Sequence, residues 1–409
     1  NWMQATSSWL DRLTLRAATG FTGNINNGVS PQLILHYTDQ TYREIDGERY
    51  NVGKFLSAPN PNLRWEKTQD YKASLDMAFF LERLALTAEV YRRNSQDVVY
   101  STMIPTYTGF SYQKYNSVDM MNQGIELSLN ADVVRHKGFA LNVAVNFAYN
   151  QNRITKLKSV DELSINTRYV EGYPVNSIFA GKVMGIDPYS GLIRFQQRSD
   201  SVISTKEDYN DPNNYRFYLG TSECPYSGGF SVRASYKFIS LSISGIYMLG
   251  GKSYESTSAP VSYSNLRNKG NNANVPLTWY NDLYKNHLNV TAVRVDRWKN
   301  VNDTGTKYPR IYDPWAGDGL NYAAENPTSM NIVGGAYLKD NSFLRFKTMM
   351  LVFTMPAKIT RKMKLTTFRI NLCANNLFTI TNYEGLDPEA PGSIYPQSKS
   401  VTLGFNIGF

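Results

Sequence analysis

The chain's three histidines, His36, His136 and His287, are the first candidates for catalysis or metal binding. They lie far apart in sequence, in different loops or turns, which is a poor basis for a metal cage or a nucleophile–base–acid triad. Cys224 and Cys373 show no metal spacing, and Cys373 sits in a strand-like run where a buried free thiol is expected. "DPWAGDGLNY" (313–322) has the Asp/Gly flavour of a calcium loop but lacks the spaced acidic set and closing Glu, so it reads as a surface turn. "VGGAY" (333–337) has glycines but no helix after them to cradle a phosphate. Nothing here argues for an enzyme or a bound cofactor.

What remains is aromatic. Trp279, Tyr280, Trp298, Tyr308, Tyr312 and Trp315 fall in long connecting stretches. Aromatic faces stack on sugar rings and pack on peptide side chains, so these six are candidate ligand or partner contacts. The competing reading is a small core that holds a long loop together, and for any single residue it carries more weight.

The elements that would hold such loops are strands. The final residues, "SKSVTLGFNIGF" (398–409), alternate Val401, Leu403, Phe405, Ile407 and Phe409 with small or polar residues. Nine more windows repeat this pattern: 10–21, 71–80, 83–91, 124–132, 140–150, 230–238, 239–249, 343–353 and 366–376. The links near Leu81–Glu82, 133–138, Phe238–Ile239 and 355–363 are short. Those after 21 and over 97–118, 151–228, 250–341 and 377–397 are longer, so long and short connections alternate. That is the signature of an all-β, antiparallel up-and-down barrel in an outer membrane, with short periplasmic turns and long outer loops.

Composition agrees. No apolar run reaches the 18 residues of a membrane helix, but barrel strands hide their apolar residues at every second position. The formal charge is +9, with Lys and Arg scattered rather than in blocks. That argues against nucleic acid and suits contact with lipid or a dispersed polar surface. Tyr71, Tyr91, Tyr149 and Tyr247 near strand ends read as interface anchors. Arg16, Asp76, Glu126, Asn142 and Arg233 alternate inward, to wet a lumen or meet whatever fills it. The chain opens at Asn1 without initiator Met or signal core, as expected of a processed or later part of a polypeptide.

Specific motifs sharpen this. "LCANNLFTITNYEGLDPE" (372–389), followed by "YPQSKSVTLGFNIGF" (395–409), resembles the C-terminal end of SusC/RagA-type TonB-dependent outer-membrane transporters. The matching positions are Asn376, Leu377 and Phe378, then Tyr383, Gly385, Asp387, Pro388 and Glu389, and the closing Phe409. "PNLRWEKTQDYKASLDMAFF" (61–80), "DRWKNVNDTGTKYPRIY" (296–312) and "NSFLRFKTMMLVFTMP" (341–356) are similar to earlier landmarks of that family.

The resemblance implies a 22-stranded barrel with a plug, of which residues 1–409 would be about ten C-terminal strands, with no plug segment in this sequence. It also implies a SusD-like lipoprotein lid, TonB acting through the plug, the remainder of the barrel as neighbour, outer-membrane lipid around it, and an oligosaccharide or peptide substrate. The expected role is nutrient import. The rivals are a SusC-like barrel kept as an assembly scaffold, and a secreted all-β adhesin.

Overall fold

The structure is a computed structural model that describes residues 9–24, 31–33, 35–36, 42–51, 54–55, 58–110, 112–158, 169–191, 193–196, 202–203, 216–254, 298–306, 338–383, 385–391, 393 and 395–409. Ten strands form one sheet, each paired antiparallel with the next in sequence. They are β1 (Leu10–Asn24), β2 (Glu66–Phe79), β3 (Leu84–Met103), β4 (Tyr112–His136), β5 (Phe139–Leu157), β6 (Tyr226–Tyr236), β7 (Ile239–Leu249), β8 (Phe343–Thr354), β9 (Thr367–Thr381) and β10 (Ser400–Gly408). Each overlaps one of the ten alternating windows, within a residue or two at the ends. A short helix, α1 (Ala357–Lys362), fills the β8–β9 turn. Small two- and three-stranded sheets lie in the long connections. No described helix is long and apolar enough to cross a membrane.

Register makes two opposed faces. Leu15, Leu75, Ala88, Leu127, Phe147, Gly228, Tyr247, Leu344 and Ile380 follow one another across nine strands. Nearer the short turns, Leu141, Ala234, Leu241, Leu351, Leu372 and Leu403 make a parallel row. The adjacent row on the other face reads Thr14, Asp76, Thr87, Ser128, Asn146, Gly229, Ile246, Arg345 and Thr379.

The apolar face is bare: Leu15 is 75% exposed and Val401 71%. Water would penalise such a continuous greasy surface by tens of calories per mole for each Å². Hydrocarbon removes that penalty, while across the shared rows each internal strand pairs with a neighbour on either side. β1 and β10 stand at the two edges of the sheet.

The expectation of a loop over 97–118 is corrected. β3 runs to Met103 and β4 begins at Tyr112, with only a 3-10 turn, Thr106–Thr108, near the bend. Polar and β-branched residues here, such as Val98, Val99 and Thr102, pair as well as those below; only the apolar alternation stops. A bulge at Asp97 lets the ribbon turn without breaking.

Some glycines on the wall make room for a ring. A Cβ on Gly124 would come within 2.6 Å of the Tyr91 hydroxyl. Tyr91 therefore lies on the polar face, its hydroxyl donating to Asn150 Oδ1 at 3.0 Å, and is not the lipid-interface anchor that its position near a strand end suggests. Tyr71, Tyr149 and Tyr247 are on the apolar face, where Tyr149 stacks on Tyr226 at 5.0 Å.

Candidate functional site: the polar face and the loops folded onto it

The polar face is a ladder of paired charges and amides. Arg16 pairs with Asp76, which also accepts from Thr87 Oγ1 at 2.9 Å. Lys72 reaches Glu89 at 2.5 Å, and Asn142 donates to both Asn130 and Asp132. Arg16, Asp76, Glu126, Asn142 and Arg233 all fall on this face by register, as alternation requires. With this density of charged and amide side chains the face can hydrogen-bond a polar solute. Among the described residues no three metal-ligating side chains cluster.

Two long connections fold back onto this face. In the first, Val175 N–H donates to Asn152 Oδ1 at 2.7 Å, and Asn152 in turn donates to Asn122. Gly172 and Tyr173 continue the ladder on the free edge of β5, exchanging backbone bonds with Ile154, which is fully buried. Tyr173, Phe179 and Tyr218 form an aromatic knot with centroids 4.9–5.7 Å apart. Above it Lys158 bridges Asp97 at 2.8 Å and Asp119 at 2.6 Å. The Lys158 hydrogen bond holds the Asp97 carboxyl below the usual carboxylate range.

The second connection is the final one, residues 382–399. Arg345 projects from β8 on the polar face and is only 4% exposed. Its Nη2 donates to Asp387 Oδ1 at 2.5 Å, its Nη1 to Glu389 Oε2 at 2.9 Å and its Nε to Thr379 Oγ1 at 3.0 Å. Lys347 also grips both Glu389 oxygens, at 2.9 and 3.0 Å. Burial pushes the Asp387 carboxyl up, but the bonds from Arg345 and from the Glu389 and Gln397 amides outweigh it, leaving a pKa below the ordinary value. Tyr383 is buried beside Gly385, where a Cβ would sit 2.4 Å from the ring; only glycine fits. Asn376 adopts φ 52° at a register shift and ties β9 to Ser398 O at 2.9 Å. Phe378 stacks on Phe346 at 4.3 Å on the apolar face. The C-terminal motif is thus a latch that fastens the last loop to the wall.

Of the six loop aromatics, Trp298 is half-buried and donates from Nε1 to Pro188 O at 2.8 Å, a loop-packing role. Trp279, Tyr280, Tyr308, Tyr312 and Trp315 lie outside the described residues, as does His287. Cys224 and Cys373 are free and half-buried, so Cys373 is less enclosed than expected. Phe409 is 91% exposed at the short-turn end of the wall. Sequence reasoning missed Arg345 and Lys347. The available signal was charge: a cationic pair on β8 and two acids in the loop after β9.

Across residues 4–247 the chain matches the family described as TonB dependent receptor-like, beta-barrel. The chain belongs to that family. It is 26% identical to the TonB-dependent receptor SusC of Bacteroides thetaiotaomicron, over 98% of this chain and 38% of that protein. It is 24% identical to TonB-dependent receptor P39 of Formosa agariphila, over 98% of this chain and 41% of the relative. Among solved structures, the RagAB peptide transporter superposes with a TM-score of 0.75 at 26% identity, over 98% of this chain and 41% of that one. The chain therefore spans about two fifths of the relatives it matches. A TonB-dependent barrel wall of the SusC/RagA type places the sheet in a bacterial outer membrane. Its apolar face meets lipid and its polar face is the inner one.

Proposed function

We propose that this chain is the C-terminal wall of an outer-membrane importer, completed by further strands and a plug, that takes up oligosaccharides or oligopeptides by TonB-dependent transport. The observation that carries the reading is the latched inner face. A polar, charge-paired wall with loops folded onto it gives a solute a hydrated path, while the opposite face is greasy throughout. A SusD-like lipoprotein would cover the outer loops and capture the solute. The loop aromatics, Trp279, Tyr280, Trp298, Tyr308, Tyr312 and Trp315, are proposed as ligand or lid contacts, with Trp298 acting by holding its loop in place. No covalent chemistry is required: binding to the loops, release into the lumen and plug movement suffice.

The scaffold reading shares the barrel and differs in partners. The complete protein should be purified from its native membrane in detergent and its bound chains identified by mass. A surface lipoprotein, together with solute uptake that fails without TonB, is the expected result. Assembly machinery in place of the lipoprotein would favour the scaffold. A protein that stays monodisperse without detergent would refute both and leave the adhesin.

A further inference from the structure

We propose that the short-turn rim of this wall is a binding surface for the anionic head groups of the phospholipid leaflet on its periplasmic side. The inference rests on the outer-membrane placement and is independent of what is imported.

The links between strands at this end are 80–83, 137–138, 237–238 and 355–366. Each carries exposed cations: Arg83, then Lys137, then Lys237, then Lys358, Arg361, Lys362 and Lys364. Glu82 is the one acid in these four links. Strand ends add Arg12, which pairs with Glu82 at 3.7 Å, and Arg135, which pairs with Asp132 at 3.6 Å, with Asp11 beside them. Most of the chain's formal +9 is thus gathered at one end, although in sequence it looks dispersed.

Most of these cations have an exposed apolar neighbour. Phe80 and Leu81 precede Arg83, Phe139 follows Lys137, and Phe238 follows Lys237; Leu81 is 89% exposed. The clearest unit is α1. Ile359 and Met363, one turn apart and about half exposed, make an apolar stripe flanked by Lys358 and Lys362. Thr360, the one buried residue of the helix, donates to Ala357 O, and Leu365 N–H closes on Thr360 O at 2.9 Å. The strands that enter and leave α1 carry Phe353 and Phe368 on the lipid-facing side near this end of the wall.

An apolar tip beside a cation suits one depth, the boundary between acyl chains and head groups. There the ring or aliphatic end enters the lipid while the ammonium snorkels to phosphate. Peptidoglycan, a polar polymer, would use the cations and leave the apolar tips in water.

The test uses the complete protein, delipidated in detergent and titrated with phosphatidylglycerol or phosphatidylcholine, with bound lipid counted by native mass spectrometry. Each Lys or Arg near an anionic surface favours binding by roughly fivefold at moderate salt. Lys358→Ala with Arg361→Ala and Lys362→Ala should lower the preference for phosphatidylglycerol at least tenfold. The Lys358→Arg and Lys362→Arg pair should keep it, which also controls for folding. Ile359→Ser with Met363→Ser should weaken retention of both lipids and leave their ratio unchanged. Undiminished preference in the triple alanine variant overturns the proposal. So does a wild-type protein that shows no lipid preference but captures peptidoglycan fragments through these cations.

Discussion

Replacing Arg345 with Met tests the latch directly. The parent side chain makes three bonds, to Asp387, Glu389 and Thr379, at a site with 4% exposure. Met fills much of the volume but leaves Asp387 with only two backbone donors, the amides of Glu389 at 2.9 Å and Gln397 at 3.4 Å. Breaking a buried pair from one side costs about 3–5 kcal/mol when the orphaned charge stays buried. Here Lys347 still holds Glu389, and the loop can open to water, so the lower bound applies. About 3 kcal/mol corresponds to roughly a 150-fold larger open population of residues 382–399.

Hydrogen exchange in detergent reads this at the amides the latch protects, those of Glu389 and Gln397. They should exchange about two orders of magnitude faster, with β8 and β9 unchanged. Arg345→Lys, a point charge without the planar fork, should fall between. Arg345→Met combined with Asp387→Asn should cost less than the sum of the two, by about 1–3 kcal/mol. If Glu389 and Gln397 stay within about threefold of the parent, or the whole wall accelerates equally, the loop is not held by this cluster.

Three further outcomes follow from the same geometry. Leu403→Arg puts a charge on the lipid face and should cost about 2–4 kcal/mol in urea unfolding of the reconstituted barrel, while Thr402→Arg on the inner face should cost under about 1 kcal/mol. Equal costs would mean the faces are misassigned. Gly385→Ala drives a Cβ into the Tyr383 ring and should destabilise the last loop by about 1–3 kcal/mol, seen as faster protease nicking between 382 and 399. Asp387 and Asp97 both have depressed native pKa values, so their stabilisation is complete above the ordinary carboxylate range and is lost as pH falls through the native values. Loop protection should be flat from about pH 8 to 5 and fall below about pH 4. Asp387→Asn should remove that acid dependence in the final loop and leave it at the Asp97–Lys158 bridge.

Strand identity was legible because one apolar face imposes a period of two, and each of the ten alternating windows overlaps a wall strand. Connection lengths then gave the topology. The upper halves of β3, β4 and β5 were not legible as strand. Above the hydrocarbon both faces are wet, so Val98, Asn116 and Lys156 need not alternate in polarity although they pair regularly. Tyr91 was readable in principle: Val90 points outward, so its neighbour points inward, and proximity to a strand end was the weaker cue. The Arg345–Asp387 contact joins residues 42 apart across a loop, which no local pattern encodes. Charge complementarity between the Ser-Phe-Leu-Arg strand and the Asp-Pro-Glu loop was the one available hint.

The overshoot of β4 has a consequence of its own. At 25 residues and about 3.3 Å each, tilted by roughly 40°, it stands on the order of 60 Å high, while the lipid band takes about 25 Å. Some 30 Å of the structure is therefore a turret of hydrogen-bonded ribbon, and an arriving solute meets its rim well before the bilayer. Evolution could adjust the height of such a turret in matched dipeptide steps on neighbouring ribbons, since each step preserves which side chains look outward. A single added residue would need a compensating kink, such as the one that Asp97 already makes.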